Sequence, residues 1–233
     1  MRILLLLFTC FWCIFAQAQI RLGLQGGYSR VKWTSINATS SVLPLSYTTC
    51  ALSGFQTGLV AEFNLWNRLC LRPALFVSGK GTTLNRQSWF DTSSRGIWLQ
   101  YVEVPVTLVY QVILSRKVTG FVGAGLYVAQ AFSGIEKGEE KTGTGEYGIY
   151  NEVEFGTHND GPVIQMLPTI VQPFDYGFTI LAGIELKSVQ LLLTYSHGLQ
   201  PLLPNGKPYN GNYTNSGLTI SAAYLINTKR RQF

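Results

Sequence analysis

Seven connections that alternate strictly between long and short constrain this chain more than any other feature. They separate eight segments in which apolar and polar residues alternate with period two, each long enough to cross a bilayer as a tilted strand. The segments are Ile20 to Arg30, Ser53 to Leu65, Arg68 to Gly79, Trp98 to Val112, Val118 to Gln130, Phe174 to Leu186, Val189 to Gly198 and Gly217 to Asn227. Trp66 to Arg68, Leu114 to Lys117 and Lys187 to Ser188 are tight turns. Val31 to Leu52, Lys80 to Ile97, Ala131 to Pro173 and Leu199 to Ser216 are long connections. A soluble β-sandwich has no reason to sort its loops this way. An eight-stranded antiparallel up-and-down transmembrane β-barrel does, with long external loops, short periplasmic turns and both termini periplasmic.

The first residues agree with export. MRILLLLFTCFWCIFAQAQ carries one basic residue, Arg2, an apolar run from Ile3 to Ala16, and small residues at Ala16 and Ala18 in the spacing of a signal-peptidase site. The run is too short to span a bilayer as a helix, which takes about 20 residues. The expected organisation is a signal peptide over 1–18, cleaved after Ala18, and one outer-membrane β-barrel domain over 19–233. Neither Cys10 nor Cys13 follows the small residues of a lipidation site. Of the remaining two thiols, Cys50 is placed just beyond the outer end of one strand and Cys70 near the periplasmic end of the next. That separation exceeds the roughly 7 Å limit on Cα distance for a disulfide, so two free thiols are expected.

The chain is 46% apolar and 13% aromatic but only 13% charged. The charged share is about half that of a soluble domain. A lipid-facing surface explains the deficit, because a charge there costs roughly 2–4 kcal/mol at mid-membrane. The charges inside the strands obey the same rule. Arg21, Glu62, Arg72, Glu103, Asp175 and Glu185 all fall on the face opposite the apolar one, predicting a network of charges in the lumen. A three-residue turn pairing Leu65 with Leu69 would set Glu62 opposite Arg72, close enough to interact. Side chains fill the interior of an eight-stranded barrel, so the expectation is a plugged lumen without an open pore.

The segments YVEVPVTLVY (Tyr101 to Tyr110), FVGAGLYVA (Phe121 to Ala129) and FDYGFTILAGIEL (Phe174 to Leu186), with LGLQGGYS near the start, resemble the PorT-like family of outer-membrane β-barrel proteins. The similarity spans the mature chain, and the Tyr-x-Glu-x-Pro core at Tyr101, Glu103 and Pro105 is its most specific part. The resemblance implies an eight-stranded barrel and a relation to type IX protein secretion. One departure stands at the C-terminus. Phe233 is terminal, as in many barrel precursors, but Lys229 and Arg231 occupy the alternate positions before it. The last strand is therefore expected to end near Asn227.

Nothing in the sequence builds an active site, and no catalytic, cofactor-binding or metal-binding residue is assigned. Ser196 and His197 are neighbours on a strand and point to opposite faces, so they cannot act together as nucleophile and base. His158, the other histidine, lies in the third long connection. Gly123 and Gly125 belong to no complete GxGxxG and precede no helix. The third connection holds seven acidic residues, Glu136, Glu139, Glu140, Glu146, Glu152, Glu154 and Asp160, against Lys137 and Lys141. It is read as a solvated surface, with divalent cations or a basic partner as the alternative. Arg30, Lys32, Lys80, Arg86 and Arg95 are placed near the outer rim, where they would meet the phosphates of outer-membrane lipids including lipopolysaccharide. The basic residues are too scattered for a nucleic-acid surface, and export removes the opportunity. The functional expectation is a non-enzymatic barrel that meets a protein partner through its external loops or periplasmic turns, or serves as a structural membrane component. Its rivals are an accessory of type IX secretion and a lipid-modifying enzyme.

Overall fold

The computed structural model describes residues 20–35, 46–87, 91–143, 145–156, 169–203 and 213–227. The predicted signal segment, His158, Asp160 and the basic tail after Asn227 lie outside these residues. These described residues form eleven strands in chain order: β1 Ile20–Ser35, β2 Ser46–Trp66, β3 Leu69–Gln87, β4 Asp91–Ile113, β5 Val118–Thr142, β6 Gly145–Glu152, β7 Glu154–Phe155, β8 Ile170–Val171, β9 Phe174–Leu186, β10 Val189–Gly198 and β11 Tyr213–Asn227. β1, β2, β3, β4, β5, β9, β10 and β11 pair in that order, all antiparallel, and the β1–β11 ladder closes the ring.

Lipid is the solvent that makes this ring stable. Its outer face is a continuous apolar belt, with Phe55 74% and Leu126 68% exposed, far more apolar surface than a water-soluble monomer tolerates. Polar side chains such as Gln25, Glu62, Arg72, Glu103, Thr107 and Asp175 are buried inside. Closure removes every strand edge within the belt and satisfies the backbone where water is absent.

The tight turns come from local backbone chemistry. Asn67 (φ 28°) and Lys187 (φ 60°) adopt the left-handed conformation, which asparagine tolerates better than most residues. The β2–β3 turn is shorter than expected. Trp66, not Leu65, pairs with Leu69, and the surplus residue is absorbed as an irregularity between Asn64 and Trp66. Because Phe63 still pairs with Leu71, Glu62 remains level with Arg72.

Three predicted long connections are in large part strand, the first because β1 runs on to Ser35 and β2 begins at Ser46. β3 and β4 continue as a paired ladder from Lys80↔Leu99 to Gln87↔Thr92. β5 runs on to Thr142 and turns into β6, whose eight residues pair with Ile135 to Thr142. The acidic segment is therefore in large part a β-hairpin and not a loop. Cys50, predicted to lie beyond its strand, sits within β2 opposite Thr83. Cys70 pairs with Asn64 beside the opposite turn, and both thiols are free.

Candidate functional site

Inward side chains fill the barrel in stacked layers. Nearest the short turns, Arg21 forks onto Glu185 (Nη2–Oε1 2.6 Å, Nη1–Oε2 3.0 Å) and reaches Glu62 Oε2 at 3.2 Å. Arg72 donates to Glu62 Oε1 at 2.6 Å, to the side-chain oxygen of Gln25 at 2.9 Å, and to that of Gln190. The Gln190 amide donates in turn to Glu62 (3.0 Å) and Glu185 (2.8 Å). Two arginines face two glutamates, so the layer is neutral. Its mutual pairing offsets the several kcal/mol per ion that burial would otherwise cost. Val60, Val109, Phe121, Leu181, Leu192 and Leu225 form an apolar cluster in the same part of the interior.

Farther along the axis lies a second charged layer. Lys80 Nζ stands 2.7 Å from Glu103 Oε2 and 3.9 Å from Asp175 Oδ2. It also lies over the rings of Tyr127 and Tyr101, at 4.5 and 5.4 Å from their centroids. Asp175 Oδ2 accepts from Tyr127 Oη (3.2 Å) and Asn215 Nδ2 (2.9 Å), and Ser78 Oγ donates to Glu103 (3.2 Å). Between the two layers is a cavity of about 40 Å³ lined by residues including Gln25, Arg72, Phe76, Glu103 and Thr179. At a minimum of roughly 10–15 Å³ for each water, it admits a few waters and no larger solute.

Beyond the second layer the mouth is closed by hydrocarbon. Trp33, Ile97, Leu99 and Tyr213 of the barrel wall pack with Val153, Val171, Leu202 and Leu203 from the long connections. Outside this plug, Arg95 holds Glu136 (3.2 Å) and Glu140 (3.3 Å), and the fully buried Glu136 also accepts from the backbone N–H of Thr169 at 3.1 Å. On the exposed hairpin, a hydrogen bond to Glu146 at 2.7 Å holds the Lys141 ammonium above its ordinary pKa.

The six charges expected in the lumen thus fall into two groups. Arg21, Glu62, Arg72 and Glu185 meet in the first layer, and Glu103 and Asp175 meet in the second. Lys80 and Arg95, read from sequence as rim residues for lipid phosphate, instead turn inward onto carboxylates. Arg30 and Lys32 remain exposed. Lys80 was legible in principle, since it continues the inward phase of Arg72, Ala74 and Ser78 along β3. Glu136 and Glu140 were not. Phe132 is an extra residue between the pairs Gln100↔Ser133 and Tyr101↔Ala131, and this bulge reverses which residues of β5 point inward. Ser196 borders the lumenal cavity, whereas His197 packs against Phe178 at 5.5 Å between ring centroids. The two do not form a catalytic pair.

Residues 15–203 match a family model described as an outer membrane protein beta-barrel domain. Among curated proteins, none matches the sequence. The crystal structure of the outer membrane protein OprG from Pseudomonas aeruginosa aligns with 91% of this chain and 97% of its own at 10% identity, with a TM-score of 0.51. Ail of Yersinia pestis, solved in complex with the heparin analogue sucrose octasulfate, aligns with 89% of this chain and 99% of its own at 9% identity (TM-score 0.39). Neisserial surface protein A aligns with 87% and 96% at 13% identity (TM-score 0.39). At such identities, likeness to a solved structure speaks to fold alone.

Proposed function

The chain belongs to the outer membrane protein beta-barrel domain family and is integral to the outer membrane, and from that premise we propose that it works as a non-enzymatic, non-conducting adaptor. Its working surface is the β-hairpin platform built by the outer parts of β3, β4, β5 and β6. The observation that carries this reading is the division of the molecule. The interior is filled by two ion-paired layers and an apolar plug, while the ladder continues outward through the β5–β6 pairing. Among the described residues β6 is paired with β5 alone, at the end of the sheet order, and it exposes Tyr147 and Tyr150. An exposed edge flanked by aromatic side chains is a recurrent surface for adding a partner's strand.

Photo-crosslinkers placed at Tyr150 and, separately, at Lys117 in the β4–β5 turn test the proposal in intact cells. Discrete protein adducts are expected from Tyr150. Adducts arising exclusively at Lys117 would move the working surface to the periplasm and sink the platform reading. Large, stable single-channel conductance in planar bilayers would overturn the non-conducting half, and an altered lipid composition in a deletion strain would overturn the non-enzymatic half. The second reading, an accessory role in type IX secretion, is supported by the PorT-like resemblance. Tyr101 and Glu103, from the most specific part of that resemblance, are buried in the lumen, so they serve barrel construction first. Loss of exported cargo on deletion, with co-purification of secretion components, would favour this reading over the adaptor.

A further inference from the structure

On one strand the rule that keeps charge off the outer wall is broken. Leu22, Leu24 and Tyr28 are exposed on the outward phase of β1, and the same phase continues into Arg30 and Lys32, both exposed. The other charged side chains of β1, β2, β9, β10 and β11 are Arg21, Glu62, Asp175 and Glu185, and all four lie in the lumen. Among the described residues neither Arg30 nor Lys32 has an acidic partner. Two residues apart on one face of one strand, their Cα atoms are about 7 Å from each other. Both cationic ends therefore reach a single anion, which would also relieve the repulsion between them. Of the cations read from sequence as contacts for lipid phosphate, Lys80 and Arg95 turn inward, whereas these two point out.

Their height fits the external interface. Arg30 follows Leu22, the first exposed apolar residue of β1, by about 26 Å of strand and Lys32 follows it by about 33 Å, at roughly 3.3 Å per residue. With strands tilted about 40°, those lengths rise about 20 and 25 Å along the membrane normal, against a lipid-facing band about 25 Å tall. The pair thus stands at the upper edge of the band, at the end opposite the short turns. Aromatic rings mark the same level on either side. Tyr28 packs on Phe55 at 5.6 Å between centroids, and Tyr195 on Phe178 at 6.4 Å, as in the girdles of other transmembrane barrels.

Hydroxyl groups flank the two cations. Arg30 pairs with Ser53 of β2, and Lys32 with Ser216 of β11. Tyr28 Oη and Ser53 Oγ are 2.6 Å apart, and Tyr195 Oη and Ser216 Oγ are 3.2 Å apart. Each Tyr–Ser pair uses one hydroxyl hydrogen in its own bond and keeps the other to donate elsewhere. A ligand that satisfies the whole patch carries a phosphate, several further oxygen acceptors beside it, and apolar chains beneath. We infer that Arg30 and Lys32 bind the phosphate of a lipid A molecule in the outer leaflet. The Tyr28–Ser53 and Tyr195–Ser216 hydroxyls donate to its sugar oxygens, and its acyl chains lie against the apolar belt below. Charge-assisted hydrogen bonds from both cations fix the phosphate, and the sugar acceptors separate this lipid from a simple glycerophospholipid.

The test uses the barrel purified from outer membranes, exchanged into a zwitterionic detergent and titrated with bisphosphorylated lipid A, with bound lipid counted by native mass spectrometry. Arg30→Gln with Lys32→Gln is expected to weaken lipid A binding about thirtyfold, as two cations near the surface imply. Arg116→Gln with Lys117→Gln removes the same charge from the β4–β5 turn at the other end and is expected to leave binding unchanged. Heat-modifiable gel migration verifies folding. Should the double variant at Arg30 and Lys32 not assemble, the single variants replace it, each expected to weaken binding about fivefold. Equal loss from the two double variants would overturn the site, reducing it to general surface charge. Phosphatidylglycerol bound as tightly as lipid A would overturn the choice of lipid, and glucosamine 1-phosphate competing at equal concentration would reassign the patch to a soluble phosphate.

Discussion

Replacing Glu62 with leucine should destabilise the barrel more than replacing the arginine opposite it. Glu62 is 2% exposed and accepts from Arg21, Arg72 and Gln190 at 3.2, 2.6 and 3.0 Å. Without it, Arg21 keeps Glu185 at 2.6 Å. Arg72, itself 3% exposed, is left with only the neutral Gln25 and Gln190. An uncompensated buried charge of this kind costs about 3–5 kcal/mol. Arg72→Met is milder, because Glu62 retains Arg21 and Gln190, and the loss is closer to that of a charged hydrogen bond, about 1.5–3 kcal/mol. The double variant removes the stranded charge together with its partner and should be more stable than Glu62→Leu alone, with a coupling energy of about 1–3 kcal/mol. Urea-driven unfolding in lipid vesicles, followed by tryptophan fluorescence, measures all three. If the two single variants lose equal stability, or the double variant loses their sum, the reasoning about which residue depends on which is refuted.

Three further predictions address other parts of the molecule. Lys80→Met leaves Glu103 and Asp175 as unscreened like charges in the interior. It should abolish the heat-modifiable folded band at neutral pH, with partial recovery when Asp175→Asn is added. Arg95→Ala strips the ion-pair partner from the fully buried Glu136. Proteolysis between Ile135 and Glu152 should then accelerate about tenfold or more while the membrane-embedded strands stay protected; unchanged cleavage would mean the hairpin does not depend on that pair. Cys50 is exposed near the hairpin end and Cys70 is buried near the turns. A membrane-impermeant maleimide should label Cys50 in intact cells and leave Cys70 untouched, and the opposite order would invert the assigned orientation.

Period-two alternation marked the strands wherever lipid lay on one side and the polar lumen on the other. β9 and β10 coincide with their predicted limits, Phe174–Leu186 and Val189–Gly198, because each is bounded by a tight turn at one end and leaves the apolar belt at the other. The signal disappears where the same ladder rises above the membrane. Thr82, Thr83, Asn85, Ser93 and Ser94 belong to paired β3 and β4, yet without lipid nothing requires their outward neighbours to be apolar, and the segment reads as a loop. Arg95 and Lys80 were misplaced for this reason, since a charge beyond an apparent strand end looks like a rim charge. The bulge at Phe132 leaves no comparable trace in composition, so the inward turn of Glu136 and Glu140 could not be read at all. The Arg21, Glu62, Arg72 and Glu185 cluster was more accessible, because each charge falls in phase within a well-marked strand.

β3, β4 and β5 extend well past the lipid belt, whereas β9 and β10 begin and end near its edge. A ring of strands would otherwise present much the same profile from every bearing. Among the described residues this one has a tall side and a low side, with β6 standing as a fence post at one end of the tall side. A neighbour drifting in the plane of the membrane meets bare hydrocarbon along one arc and a raised parapet along another. The molecule therefore has a compass heading as well as an inside and an outside, and any assembly it joins inherits that heading.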